Sequence, residues 1–135
     1  LGTWQLKALL DDVCSGRAAM KDLDLIEELA QSVRSASLCG LGQTAPNPAL
    51  TTLRYFREEY ESHVRDRRCP ALVCQELLSY SIDAEKCRGC ELCRKGCPAA
   101  SISGEKKKPH VIDPATCIRC GACRNVCKFG AILVR

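Results

Sequence analysis

Eight of the twelve cysteines fall in two short runs of one spacing, and no other feature limits the fold as tightly. The first run is Cys87, Cys90, Cys93 and Cys97, followed by Pro98; the second is Cys117, Cys120, Cys123 and Cys127. Each reads C-x2-C-x2-C-x3-C. The two-residue gaps let three thiolates curl around one centre from a short loop. The three-residue gap fits one helical turn and points the fourth cysteine away from its own run. The repeat extends past the cysteines at a constant offset of thirty residues, aligning Ile82-Asp83 with Ile112-Asp113 and Ile102 with Ile132.

This is the spacing of bacterial two-cluster ferredoxins, in which the fourth cysteine of each run ligates the other run's cluster. It implies one 4Fe-4S cube on Cys87, Cys90, Cys93 and Cys127, and a second on Cys117, Cys120, Cys123 and Cys97. Disulfides would need an oxidising compartment and would not require a repeat with matching flanks. Zinc also takes four thiolates, but its motifs usually arrive as separated C-x2-C pairs.

The 135 residues suffice for one domain or two small ones. A ferredoxin-like part over 80–135 is too small for an ample apolar core, so its clusters should staple it. Cysteine content of about 9% would mark a secreted protein as disulfide-rich, but the cluster spacing points instead to a reducing cytoplasm. No secretory signal and no apolar run long enough to span a membrane is visible. The chain begins at Leu1, directly in helical pattern, as expected of the C-terminal piece of something longer. Its formal charge of +4 is offset by roughly two negative charges on each oxidised cube, leaving near neutrality. The basic clusters Arg65, Arg67, Arg68 and Lys106, Lys107, Lys108 have no interleaved aromatics. They read as solvated loops or as a docking surface for an acidic electron-transfer protein, not as a nucleic-acid site.

Along the chain, Trp4, Leu6, Leu9, Leu10 and Val13 form a helical stripe over 4–15 that stops at Gly16. Cys14 on that helix reads most simply as a small buried residue. A second helix begins near Asp22 and buries Leu25, Ile26, Leu29 and Val33. A loop over 37–48 follows. Asn47-Pro48 then caps a third helix to His63, with Leu50, Leu53, Phe56 and Tyr60 on its apolar face. The expected architecture is α+β, a three- or four-helix bundle over 1–63, a hinge over 64–79 and a two-cluster ferredoxin domain over 80–135.

The run Ser37-Leu38-Cys39-Gly40-Leu41-Gly42, with Pro48, Leu53-Arg54-Tyr55-Phe56 and Glu58-Glu59-Tyr60, resembles the C-terminal helical domain of the flavin-carrying, NADH-oxidising subunit of respiratory complex I. In that family a C-x2-C-x2-C run just upstream binds a 4Fe-4S cluster whose fourth ligand stands at the position of Cys39. Those three cysteines are missing here, and the family's FMN and NAD(P) sites also lie upstream. With a ferredoxin domain appended, the chain resembles the corresponding subunit of soluble NAD(P)-linked iron hydrogenases, electron-bifurcating ones included, and of related formate dehydrogenases. The resemblance implies an electron relay between a flavin domain and a partner redox subunit or soluble ferredoxin. Lys128 departs from the ferredoxin pattern, which usually has proline after the last cysteine.

Between the two parts, Pro70 and the residues to Leu78 read as a short helix in a polar connector. His63, Cys69 and Cys74 are closely spaced there and would suit zinc, given a fourth ligand from His110 or Cys14. Two free thiols in a small helical core are the alternative. No Ser-His-Asp set, phosphate loop or paired-carboxylate pocket is visible, so the chain itself is expected to carry no catalytic residue. The rival from another class is a structural or regulatory iron-sulfur module.

Overall fold

The computed structural model describes residues 1–135, which gather into two compact units, Leu1–Leu77 and Leu78–Arg135. The first unit is helical. It comprises α1 (Gly2–Ser15), α2 (Met20–Ala36), α3 (Gly40–Thr44), α4 (Asn47–Tyr55), α5 (Arg57–Arg65) and a 3-10 turn over Gln75–Leu77. No helix is long and apolar enough to cross a membrane.

Local chemistry sets the helix ends. Gly16 stops α1 in the left-handed region at φ 71, its N–H donating to the Val13 carbonyl at 3.1 Å. A Cβ there would lie 2.7 Å from Leu77 Cδ2, so the position needs glycine for space as well as for conformation. Asp22 lies in the first turn of α2 and accepts the Ala19 N–H at 2.7 Å.

The core joins Leu6 and Val13 of α1, Leu23, Ile26 and Ala30 of α2, and Ala49 and Leu53 of α4, with Tyr60 and Val64 of α5 packed against it. Four expected apolar-face positions move, among them Phe56 of the third expected helix, which is 54% exposed. Trp4 is 72% exposed, because at 100° per residue it stands about 200° around the helix from Leu6. Leu25 is 47% exposed, and the buried face of α2 is Leu23, Ile26 and Ala30. That stripe keeps helical spacing, but a count of large side chains passes over Ala30. Cys14, expected to be buried, is exposed.

The single helix expected from Pro48 to His63 is two, broken at Phe56 with φ −128 and ψ 34. Thr51 and Thr52 donate their hydroxyls back to the Asn47 and Pro48 carbonyls at 2.8 and 2.7 Å, a pattern that bends helices. Beyond the break Arg57 donates to Asp24 of α2 at 2.8 Å, and α5 packs against α1 and α2. The loop over 37–48 contains α3, giving five helices instead of three or four.

The helix expected after Pro70 is only the turn Gln75–Leu77. Leu72 takes φ 55, and Cys69 accepts the Leu72 N–H on its carbonyl and the Val73 N–H on its sulfur, so the chain wraps Cys69. Residues 64–77, expected to belong to a polar hinge, lie in the first unit, with Cys69 only 2% exposed.

The second unit is built from the repeat. Its elements are β1 (Tyr80–Ile82), α6 (Leu92–Lys95), β2 (Ile102–Ser103), β3 (Val111–Ile112), α7 (Ala122–Val126) and β4 (Ile132–Val134). β1 pairs antiparallel with β4, setting Ile82 opposite Ile132; β2 pairs antiparallel with β3, setting Ile102 opposite Ile112. Each sheet thus takes one strand from each half. The turns repeat as well, since Asp83 and Asp113 accept the Glu85 and Ala115 N–H groups, both at 3.0 Å. Its core is Ile102, Ile112 and Ile132 with Cys93 and Cys123, so cysteines supply much of what is buried.

Leu23→Ala removes a fully buried side chain and should cost about 2–5 kcal/mol in denaturant unfolding followed by helical circular dichroism. Trp4→Ala, at an exposed site, should stay within about 0.5 kcal/mol of the parent.

Candidate metal centres

The loops that present the paired cysteine runs are shaped by left-handed residues at matching places. In the first run these are Gly89 at φ 62 and Glu91 at φ 63; in the second, Arg119 at φ 57 and Gly121 at φ 76. Each run therefore turns twice in the left-handed region, and each has glycine at one of the two turns. Gly89 is also a close approach, since a Cβ there would lie 2.5 Å from the Lys108 nitrogen. The short helices α6 and α7 follow, burying Cys93 and Cys123.

Two cavities result, and each has four cysteines in its lining. Cys87, Cys90, Cys93 and Cys127 line one, beside Ile82, Ile132 and His110. Cys117, Cys120, Cys123 and Cys97 line the other, beside Ile102, Ile112 and Tyr80. The fourth cysteine of each run thus faces the other run's cavity.

The thiols differ in environment. Burial holds Cys93 and Cys123 above the ordinary thiol range, against hydrogen bonds from the Arg94 and Arg124 N–H groups. Burial acts the same way on Cys97, but the Ser101 hydroxyl at 3.3 Å and neighbouring backbone N–H groups outweigh it and bring this thiol down. At the equivalent place in the second run Cys127 accepts the Ala131 N–H at 3.4 Å, and alanine supplies no hydroxyl. Ser101 escapes a reading based on cysteine spacing; the thirty-residue offset that pairs it with Ala131 is the signal that would find it.

A third group lies in the helical unit. The ligand atoms of His63, Cys69 and Cys74 all fall within 4.8 Å of one another. His63 Nδ1 is 2.6 Å from the Glu59 carbonyl, which fixes the proton on Nδ1 and turns Nε2 toward Cys74 Sγ at 3.4 Å. Burial would raise the Cys69 thiol, but hydrogen bonds from the Cys74 and Val73 backbone and from the Cys74 and His63 side chains bring it down to about 6. Burial, then the bond to Cys69, hold Cys74 up at about 12, so one thiol of the pair ionises well before the other. Of the two candidates for a fourth ligand, Cys14 interacts with Cys74 and lines a hollow with His63. His110 lines the cavity of the first cysteine run in the other unit instead.

Cys39 is exposed at the N-cap of α3, its sulfur accepting the Gly42 N–H at 3.4 Å. Leu38 and Leu41 beside it are exposed at 103% and 82%, so the apolar pair flanking this cysteine faces outward.

Residues 1–63 match the NADH-ubiquinone oxidoreductase-F iron-sulfur binding region, and residues 79–128 match a 4Fe-4S dicluster domain. This chain is an iron-sulfur electron-transfer module. The module is 49% identical over 133 residues to the NADP-reducing hydrogenase subunit HndC of Solidesulfovibrio fructosivorans, covering 98% of this chain and 27% of that protein. It is 44% identical over 69 residues to an NADH-quinone oxidoreductase subunit of Streptomyces coelicolor, covering 51% of this chain and 15% of that one. Against the alpha subunit of the NAD-reducing hydrogenase HoxS of Cupriavidus necator it is 39% identical over 76 residues, or 56% and 13% of the two chains. The module therefore spans about a quarter or less of the length of these relatives.

The residues of the module fit 4Fe-4S clusters. Each cavity has four thiols and an otherwise largely apolar wall, the donor set a cube requires. His110, buried in the first cavity's wall, has no protein partner on either ring nitrogen. Because Cys97 and Cys127 each line the other run's cavity, Cys97→Ser is expected to damage a cluster held by the second run and Cys127→Ser one held by the first. Electron paramagnetic resonance of each reduced variant reads this, and damage confined in both cases to the substituted run would exclude the exchange.

Proposed function

We propose that the chain relays electrons through two 4Fe-4S cubes, between a flavin and NAD(P)H domain and a partner redox subunit or soluble ferredoxin. The setting is a cytoplasmic, multisubunit NAD(P)-linked hydrogenase of the electron-bifurcating type. The observation that carries the relay is the exchange of Cys97 and Cys127 between cavities, which ties two one-electron centres into one small unit. The likeness to HndC across nearly the whole chain supports the hydrogenase setting.

When bound, each cube supplies a centre that takes up and releases one electron at a time. The chain's own residues do the rest. The eight cysteines give up their protons to become ligands, most reluctantly at buried Cys93 and Cys123. Ile82 and Ile132 on one side, and Ile102 and Ile112 on the other, keep water from the cavities. The Ser101 hydroxyl donates toward Cys97 Sγ and steadies negative charge there.

In the complete subunit Cys39 is the fourth ligand of a further 4Fe-4S cluster whose other ligands lie upstream. The exposed position of its sulfur, between outward-facing Leu38 and Leu41, supports this reading. Full-length Cys39→Ser should lose that cluster's paramagnetic signal and slow reduction of the two cubes by NAD(P)H, while chemical reduction of the cubes stays normal. Unchanged signals and rates would make Cys39 an ordinary loop cysteine.

His63, Cys69 and Cys74, whose ligand atoms lie within 4.8 Å of one another with the histidine already oriented, hold a structural zinc in the helical unit, and Cys14, which interacts with Cys74, is its fourth ligand. Metal analysis should find one zinc beside eight iron and eight sulfide per chain. Cys69→Ser should remove the zinc and leave the iron, with lower thermal stability of the helical unit.

A further inference from the structure

The thirty-residue offset that relates the two cysteine runs also pairs Tyr80 with His110. Tyr80 lines the cavity of the second run, and His110 lines that of the first. The exchange of phenol for imidazole changes what the wall offers. His110 is 2% exposed, and neither Nδ1 nor Nε2 has a hydrogen-bond partner. Space has been made for the ring, since a Cβ on Gly104, at φ 148, would lie 2.8 Å from His110 Cγ and 2.9 Å from its Cδ2.

A buried polar group without a partner costs stability that so small a unit can scarcely regain from its core. In either protonation state the imidazole carries at least one N–H to donate. The cavity it borders is lined by Cys87, Cys90, Cys93 and Cys127, and a cube held there would present thiolate and sulfide sulfurs, which accept hydrogen bonds.

On the reading that this cavity holds a cube, we propose that His110 donates an N–H hydrogen bond to a sulfur of the cluster bound by Cys87, Cys90, Cys93 and Cys127, and thereby eases its reduction. A donor to sulfur favours the reduced cluster, which carries one more negative charge. The other cavity has a different donor, the Ser101 hydroxyl on Cys97, where the first has Ala131. Each cube is therefore set by a residue that the other lacks. His110 acts as a positioning and tuning residue beside an electron-carrying centre.

The test uses the full chain, purified anaerobically with its clusters and labelled with 15N-histidine. His63 and His110 are its two histidines. Pulsed electron paramagnetic resonance of the partly reduced protein should detect 15N coupled to a cluster, and the coupling should vanish in His110→Leu that still carries eight iron and eight sulfide. In redox titration His110→Leu should lower one of the two midpoint potentials, equivalent to about a tenfold loss in the equilibrium constant for one-electron reduction, or about 59 mV. His110→Gln, which keeps an N–H, should restore most of the shift. Wild-type protein with eight iron and eight sulfide but no 15N coupling would overturn the proposal, even if His110→Leu failed to load a cluster. Unmoved potentials in a fully loaded His110→Leu would also overturn it. Absence of iron and sulfide from the wild type would instead overturn the two-cube reading on which it rests.

Discussion

Four thiolates must converge on each of two points in a unit whose apolar core is little more than three isoleucines. That requirement, more than burial, determines the second unit. A chain of this size cannot bury enough surface to hold eight cysteines in place, and eight thiolates facing inward would repel one another without iron to neutralise them. With Cys97 and Cys127 each in the other run's cavity, an exchange of fourth ligands would solve both problems together, because each cluster would then fasten the two halves. The left-handed residues and the strand pairing serve that geometry. They turn the loops sharply enough to present three sulfurs and bring the distant fourth one back.

The helical unit follows different rules. Its order comes from Leu23, Ile26 and Ala30 on one helix face meeting Leu6, Val13, Ala49 and Leu53. Here packing settles what spacing leaves open. The stop at Gly16 and the start near Asn47-Pro48 were legible because single residues dictate them. The break at Phe56 was not, since it depends on two threonine hydroxyls and on the pull of Arg57 toward Asp24, a residue far away in sequence. Likewise the stretch after Pro70 has a helical composition, but the wrapping of Cys69 competes with the helix and prevails.

The centres show the same division. The grouping of the eight cysteines, four to a cavity, and the closeness of His63, Cys69 and Cys74 both follow from spacing, because short segments hold their side chains near one another. What spacing could not give was which remote residue completes a set. Cys14 and His110 were equal candidates on paper, and folding places one beside Cys74 and the other in the wall of a cluster cavity. Ser101 was silent for a related reason, since a serine declares nothing until its hydroxyl is found 3.3 Å from a ligand sulfur.

The strand pairing has a consequence for how the second unit could come apart. β1 and β2 belong to one half, β3 and β4 to the other, and every pairing joins the halves. One half alone would have two unpaired strands and three sulfurs facing a site that lacks its fourth. Two copies of such a half could satisfy each other completely, with each lending its last cysteine across a two-fold axis. The single chain is thus a covalently joined version of a symmetric dimer. The linker between its halves is what allows the two sites to diverge, since residues such as Ser101 and His110 can then change on one side without being copied to the other.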